Sequence, residues 1–68
     1  MKMHELLTYL VEPRGEFWIV RLDGDSPVIF EGAFSAAWDH AKELGMRWPP
    51  ATIRALNDEG QAIAEERT

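Results

Sequence analysis

The sequence predicts an α+β fold: a small antiparallel sheet with one helix packed on one face, in the order β-β-β-α-β-β. Three observations predict it. Short runs of strand-forming residues are separated by turns bearing Gly, Pro, Asp and Asn. One stretch, from Ser35 to about Leu44, places apolar residues at helical spacing. The densest apolar run, Phe17–Leu22, lacks the polar alternation of a strand with one wet face, so it reads as apolar on both sides.

Leu6 to Val11 is rich in strand formers and supplies the first strand. In Glu12-Pro13-Arg14-Gly15, Pro13 suits position i+1 of a type I turn and Gly15 the left-handed position after it. The resulting hairpin with its three-residue loop sets Glu12 opposite Glu16, Val11 opposite Phe17 and Leu10 opposite Trp18. Side-chain alternation then gives one face with Leu6, Thr8, Leu10, Trp18, Val20 and Leu22. The other carries Leu7, Tyr9, Val11, Phe17, Ile19 and Arg21.

Asp23 to Pro27 is a turn cluster, and Val28-Ile29-Phe30 is a short third strand ended by Glu31-Gly32. Ser35 is the expected helix N-cap and Gly45 the expected C′ residue. Ala37, Ala41 and Leu44 share the inner face, bordered by Trp38, while Asp39, Lys42 and Glu43 lie on the other side. Such a short helix needs the sheet to hold it. Arg47-Trp48-Pro49-Pro50 is a rigid connection to a fourth strand, Thr52–Leu56. Asn57 to Gly60 repeats the turn chemistry. Gln61–Ala64 then returns as a fifth strand, although Gln61–Arg67 also has helix propensity, and both readings stand open.

With 68 residues the chain is one domain, 1–68. A domain this small buries only about 60% of its unfolded surface. Without Cys it has neither disulfides nor thiolate metal sites. His4 and His40 alone do not make a structural zinc site, and no cofactor site is read. A protein partner is therefore the expected source of further stabilisation. The net charge of −5 disfavours nucleic acid as a ligand. No apolar run approaches the ~20 residues of a membrane helix, and Met1–Val11 is too short and polar for a signal peptide. A cytoplasmic protein is expected.

No catalytic constellation emerges, so the chain is not expected to be an enzyme, and no small-molecule substrate is evident. His40 and Asp39 are helix neighbours that do not face each other. Asp23, Asp25 and Glu31 lack the spacing of a calcium loop. Ser26, Ser35, Thr8 and Thr52 have no paired His and acid, and the glycines at 15, 24, 32, 45 and 60 form no phosphate-cradling loop. Tyr9, Phe17 and Trp18 resemble an aromatic platform for single strands, but without a basic groove they read as core or interface.

Three segments carry a resemblance: Pro13-Arg14-Gly15-Glu16-Phe17-Trp18, Ala36-Ala37-Trp38-Asp39-His40-Ala41 and Asn57-Asp58-Glu59-Gly60-Gln61. Over about Thr8 to Arg67 the chain resembles a small family of uncharacterised bacterial proteins, a domain of unknown function with a hairpin–helix–hairpin layout. That resemblance implies a fold and no activity. The chain departs from the family in being apolar at Phe17 and Ile19, where members tend to be polar, and in having Asn57, Asp58 and Glu59 in the last hairpin, where they tend to be more basic. More weakly, it is similar to the partial ribonuclease-like domain of small antitoxins, through Ala37-Trp38-Asp39-His40-Ala41.

The expectation is a non-enzymatic protein-interaction or accessory module. The helix covers the Trp18–Val20–Leu22 face and leaves the Phe17–Ile19–Tyr9 face open, for a homodimer or an obligate protein partner. Its interaction residues are Tyr9, Phe17, Ile19 and, as a separate anchor before two prolines, Trp48. The structural rival has the last hairpin folding over that face. The functional alternative is an acidic antitoxin or inhibitor that blocks a partner enzyme with Asp58, Glu59, Glu65 and Glu66.

Overall fold

The computed structural model describes residues 7–24 and 26–68. His4, Leu6 and Asp25 lie outside the described residues. The element order is β-β-β-α-β-β: β1 (Leu7–Arg14), β2 (Phe17–Leu22), β3 (Phe30–Gly32), α1 (Phe34–Arg47), β4 (Ala51–Leu56) and β5 (Ala62–Arg67). All strands join one sheet in the order β3-β2-β1-β4-β5, and α1 packs on one face. Gln61–Arg67 is thus resolved in favour of a strand, and the last hairpin extends the sheet instead of folding over it.

The fold is α+β, but the sheet is mixed and not wholly antiparallel. β4 runs parallel to β1, from Leu7 beside Ala51 to Val11 beside Ala55. The helix is the cause. β3 leaves the sheet at the end where the β1–β2 hairpin turns. The 14 residues of α1 then cover about 21 Å at 1.5 Å per residue. A six-residue strand covers roughly 20 Å. The helix returns the chain along the whole sheet, so the next strand starts level with β1 and runs its way.

The hairpin register also differs from the expectation. Arg14 pairs with Phe17, Pro13 with Trp18, Glu12 with Ile19, Val11 with Val20 and Tyr9 with Leu22. The loop is the two residues Gly15-Glu16, with Gly15 at φ +63° in the first central position, as a type II′ turn requires. Pro13 sits inside β1 instead of opening the turn. It is tolerated because the ladder with β4 ends at Val11–Ala55, where no neighbour asks for its missing N–H. The register has moved by three residues, an odd number, which exchanges the faces of β1 relative to β2. Tyr9 and Val11 therefore share the helix side with Trp18, Val20 and Leu22.

That side holds the main core. Tyr9, Val11, Val20, Ala37, Ala41, Ala51, Ile53 and Ala55 are buried together, with Leu7, Trp18, Leu22, Phe30, Trp38 and Leu44 packed around them. Small residues on both layers bring helix and sheet close. Gly45 is part of this contact: a Cβ there would lie 3.0 Å from Ile53 Cδ1.

This closeness explains why Gly45 does not end the helix. α1 continues to Arg47, its last bond runs from Trp48 N–H to the Leu44 carbonyl, and Pro49 follows. Thr68 Oγ1 donates to the Gly45 carbonyl at 3.0 Å, tying the end of the described chain to the helix. At the other terminus the N-cap is Ala33 without a side-chain bond, and Ser35 lies one residue inside. Phe34 is held by Trp18, ring centroids 4.7 Å apart and edge-on. Such a pair contributes about 0.5–1.5 kcal/mol beyond its area, comparable to the ~1 kcal/mol of a Ser cap.

Side chains fix the turns. Ser26 Oγ accepts the Leu22 N–H at 2.9 Å and donates to the Leu22 carbonyl, which takes up the end of β2. The third strand accordingly starts at Phe30, two residues later than Val28, and only Ile29 N–H reaches back to Val20. In the β4–β5 turn Asn57 Oδ1 accepts the N–H groups of Glu59 and Gln61, both at 2.9 Å, and Gly60 takes φ +82°. Asn57→Ala removes both acceptances and should lower stability by about 1 kcal/mol. Urea unfolding will show this as a lower midpoint, with Asn57→Asp close to the parent because its carboxylate keeps the geometry.

Candidate interaction surface

The strand pairings define the sheet face that α1 does not cover. Across it, Arg21, Leu10, Arg54 and Glu65 form one row, Glu31, Ile19 and Glu12 a second, Thr8, Thr52 and Arg67 a third, and Phe17 with Arg14 a fourth. Arg14, Arg21, Arg54 and Arg67 all stand on this face. Composition did not reveal that segregation; strand parity alone would have, given the correct partners. Acidic Asp39, Glu43 and Glu66 lie on the helix side.

Charges on the open face are partly paired. Arg21 Nε donates to Glu12 Oε2, and Arg21 also reaches the Gly24 carbonyl at 2.9 Å. Arg54 Nε donates to Glu65 Oε1 at 3.3 Å. Between these groups Leu10 and Ile19 are buried, Ile19 to 1% exposure. Glu12 and Glu31 are the cross-strand neighbours of Ile19, and Arg21 is two residues along on the same face. Arg21 and Glu12 are partly buried there and paired with each other, while Glu31 is exposed. The face is therefore amphipathic and not bare hydrocarbon.

Four residues were expected to mark the interaction surface, and they do not converge. Tyr9 belongs to the helix-side core, because the odd register shift moved it off the Phe17 face. Ile19 is on the open face but sealed within the single chain. Phe17 is 50% exposed at the start of β2. Trp48 is 60% exposed beyond the helix C-terminus, at the opposite end, beside exposed Met46. Sequence reasoning missed Phe34, which is exposed in part and joins Trp18 and Trp38 in an aromatic cluster on the helix side.

No family model, curated protein or solved structure matches this chain. The surface thus has to be read from its own chemistry. His40 lies flat on Phe30, ring centroids 4.6 Å apart and planes 16° apart, so it is a packing group beside Asp39. Among the described residues no group of three or more His, Asp or Glu is placed to hold a metal ion. Nor is any helix among them long and apolar enough to cross a membrane. The acidic set Asp58, Glu59, Glu65 and Glu66 is divided. Glu65 pairs with Arg54 on the open face and Glu66 with Lys42 on the helix side, while Asp58 and Glu59 stay in the exposed turn.

Proposed function

We propose that the chain is a non-enzymatic, cytoplasmic protein-interaction module that self-associates through the helix-free face of its sheet, with Phe17 as the exposed anchor. One observation supports this reading above the others. Among the described residues the five-stranded sheet has a covering layer on one side only, and its other side presents half-exposed Phe17 among its charges, over buried Leu10 and Ile19. Four Arg and three Glu (Glu12, Glu31, Glu65) share that side, so its balance is +1 against −5 for the chain. A second copy meets mixed charge there and not a wall of acid, which suits a twofold, self-complementary contact. The acidic-inhibitor reading fares worse, since its four acids are split between two faces and a turn.

Phe17 is half exposed, so burying the remainder contributes about 1 kcal/mol per copy, half of the 1.5–3 kcal/mol for a full side chain. Sedimentation across a range of concentrations tests the reading. The parent should move from monomer to dimer as concentration rises, and Phe17→Asp should stay monomeric with an unchanged circular dichroism spectrum. A parent chain that remains monomeric at the highest concentration ends the proposal.

A further inference from the structure

The two edges of the sheet are defended unequally. β5 carries Glu65, Glu66 and Arg67 in its second half and a register irregularity beside its apolar first half, Ala62-Ile63-Ala64, both guards against a stray strand. At the opposite edge β3 is Phe30-Glu31-Gly32, preceded by Val28 and Ile29, each 41% exposed. Glu31 is the sole charge in this run, and its side chain belongs to the helix-free face. The outward N–H and C=O groups of such an edge are a template for one more strand.

Beside that edge, on the helix side, lies an open groove of about 660 Å³ between β3 and α1. Phe30 and His40, stacked on each other, line it together with Ala36 and Met46. Asp39 and Glu43, one turn apart on α1, line it together with Lys42, whose charge is taken up by Glu66 at 3.4 Å. Neither Asp39 nor Glu43 is in an ion pair among the described residues. A strand laid along β3 would send alternate side chains toward this groove.

We propose that β3 accepts an extended segment of a partner protein in which Lys or Arg alternates with β-branched apolar residues. The backbone of the segment continues the sheet, and its basic side chains meet Asp39 and Glu43. Charge selects this occupant over a second copy of the chain. Pairing β3 with its own copy would bring a second Asp39 and Glu43 to the same seam in a chain of net charge −5, and like charges brought together across a seam disfavour association. This goes beyond the self-association proposed above and uses a different edge, so the two stand or fall separately.

The test is a capped seven-residue peptide alternating Lys and Val, titrated into the full chain carrying Phe17→Asp, with calorimetry and backbone amide shifts as readouts. Binding should shift the amides of Val28 to Gly32. It should weaken about tenfold in the double variant Asp39→Lys/Glu43→Lys, which reverses two surface charges. A Glu-for-Lys peptide should not bind. The proposal is overturned if the Lys peptide does not bind, if its shifts map to β5 or elsewhere, or if charge reversal leaves its affinity unchanged. Concentration-dependent shifts of the β3 amides without peptide would also overturn it, because a second copy would then be the occupant.

Discussion

Ile53→Ala should leave much of this protein unfolded at room temperature. Ile53 is fully buried at the centre of β4, under the helix. It shares the core with Tyr9, Val11, Val20, Ala37 and Ala41. Truncating a buried Ile costs about 2–5 kcal/mol through lost transfer energy and the cavity left behind. The upper half of that range applies because the surroundings cannot collapse: the neighbours along β4 on the same face are already Ala51 and Ala55. A chain of 68 residues has a total stability of about 3–10 kcal/mol, at 0.05–0.15 kcal/mol per residue. The substitution removes a large fraction of that. Thermal unfolding should show a midpoint lowered by roughly 14–40 °C, from about 3.5–5 kcal/mol at 4–8 °C each. A drop of only a few degrees would mean that the helix does not rest on β4 as described.

Much of this architecture was legible in the residues, and its failures share a cause. Strand-forming runs, the helix and the turns at Gly24 and Asn57–Gly60 follow from local chemistry, and each sits where that chemistry puts it within a few residues. What local chemistry cannot supply is the partner. Pro13 reads as a turn former until β4 is known to stop before it. Gly45 reads as a cap until Ile53 is known to press against it. Tyr9 reads as a companion of Phe17 until the register is fixed. Two signals were nevertheless present. A helix as long as a strand reverses the chain's position along the sheet, which makes β1 and β4 parallel. Small residues at Ala37, Ala41 and Gly45 recur every four positions, the mark of a helix face held close to its neighbour. The open face was anticipated in kind and misassigned in membership, since its breadth depends on which residues of β1 point down.

Gly45→Val should lower stability by about 2–3 kcal/mol, the upper part of the ~1–3 kcal/mol typical of overpacking, while Gly45→Ala should be nearly neutral. A Cβ at this position meets Ile53 Cδ1 at 3.0 Å, Thr68 Oγ1 at 3.3 Å and Ala51 Cβ at 3.4 Å. The tightest of these is the free end of a flexible side chain, which can turn away from one methyl. Against that small strain, Ala gains about 0.8–1.0 kcal/mol of helix propensity over Gly. Val adds two branches, and one must press on Ala51, whose Cβ is fixed to the strand backbone. The helix end would then lift from β4 and loosen the Thr68 bond to the Gly45 carbonyl. Urea midpoints of the parent, Gly45→Ala and Gly45→Val give the ordering directly. A double-mutant cycle locates its origin. Ile53→Val removes Cδ1, so Gly45→Ala introduced into that background should be more stabilising than in the parent, with a coupling of about 0.5–1 kcal/mol. If the two substitutions simply add, the pressure on Gly45 does not come from Ile53, and the packing between α1 and β4 has been misjudged.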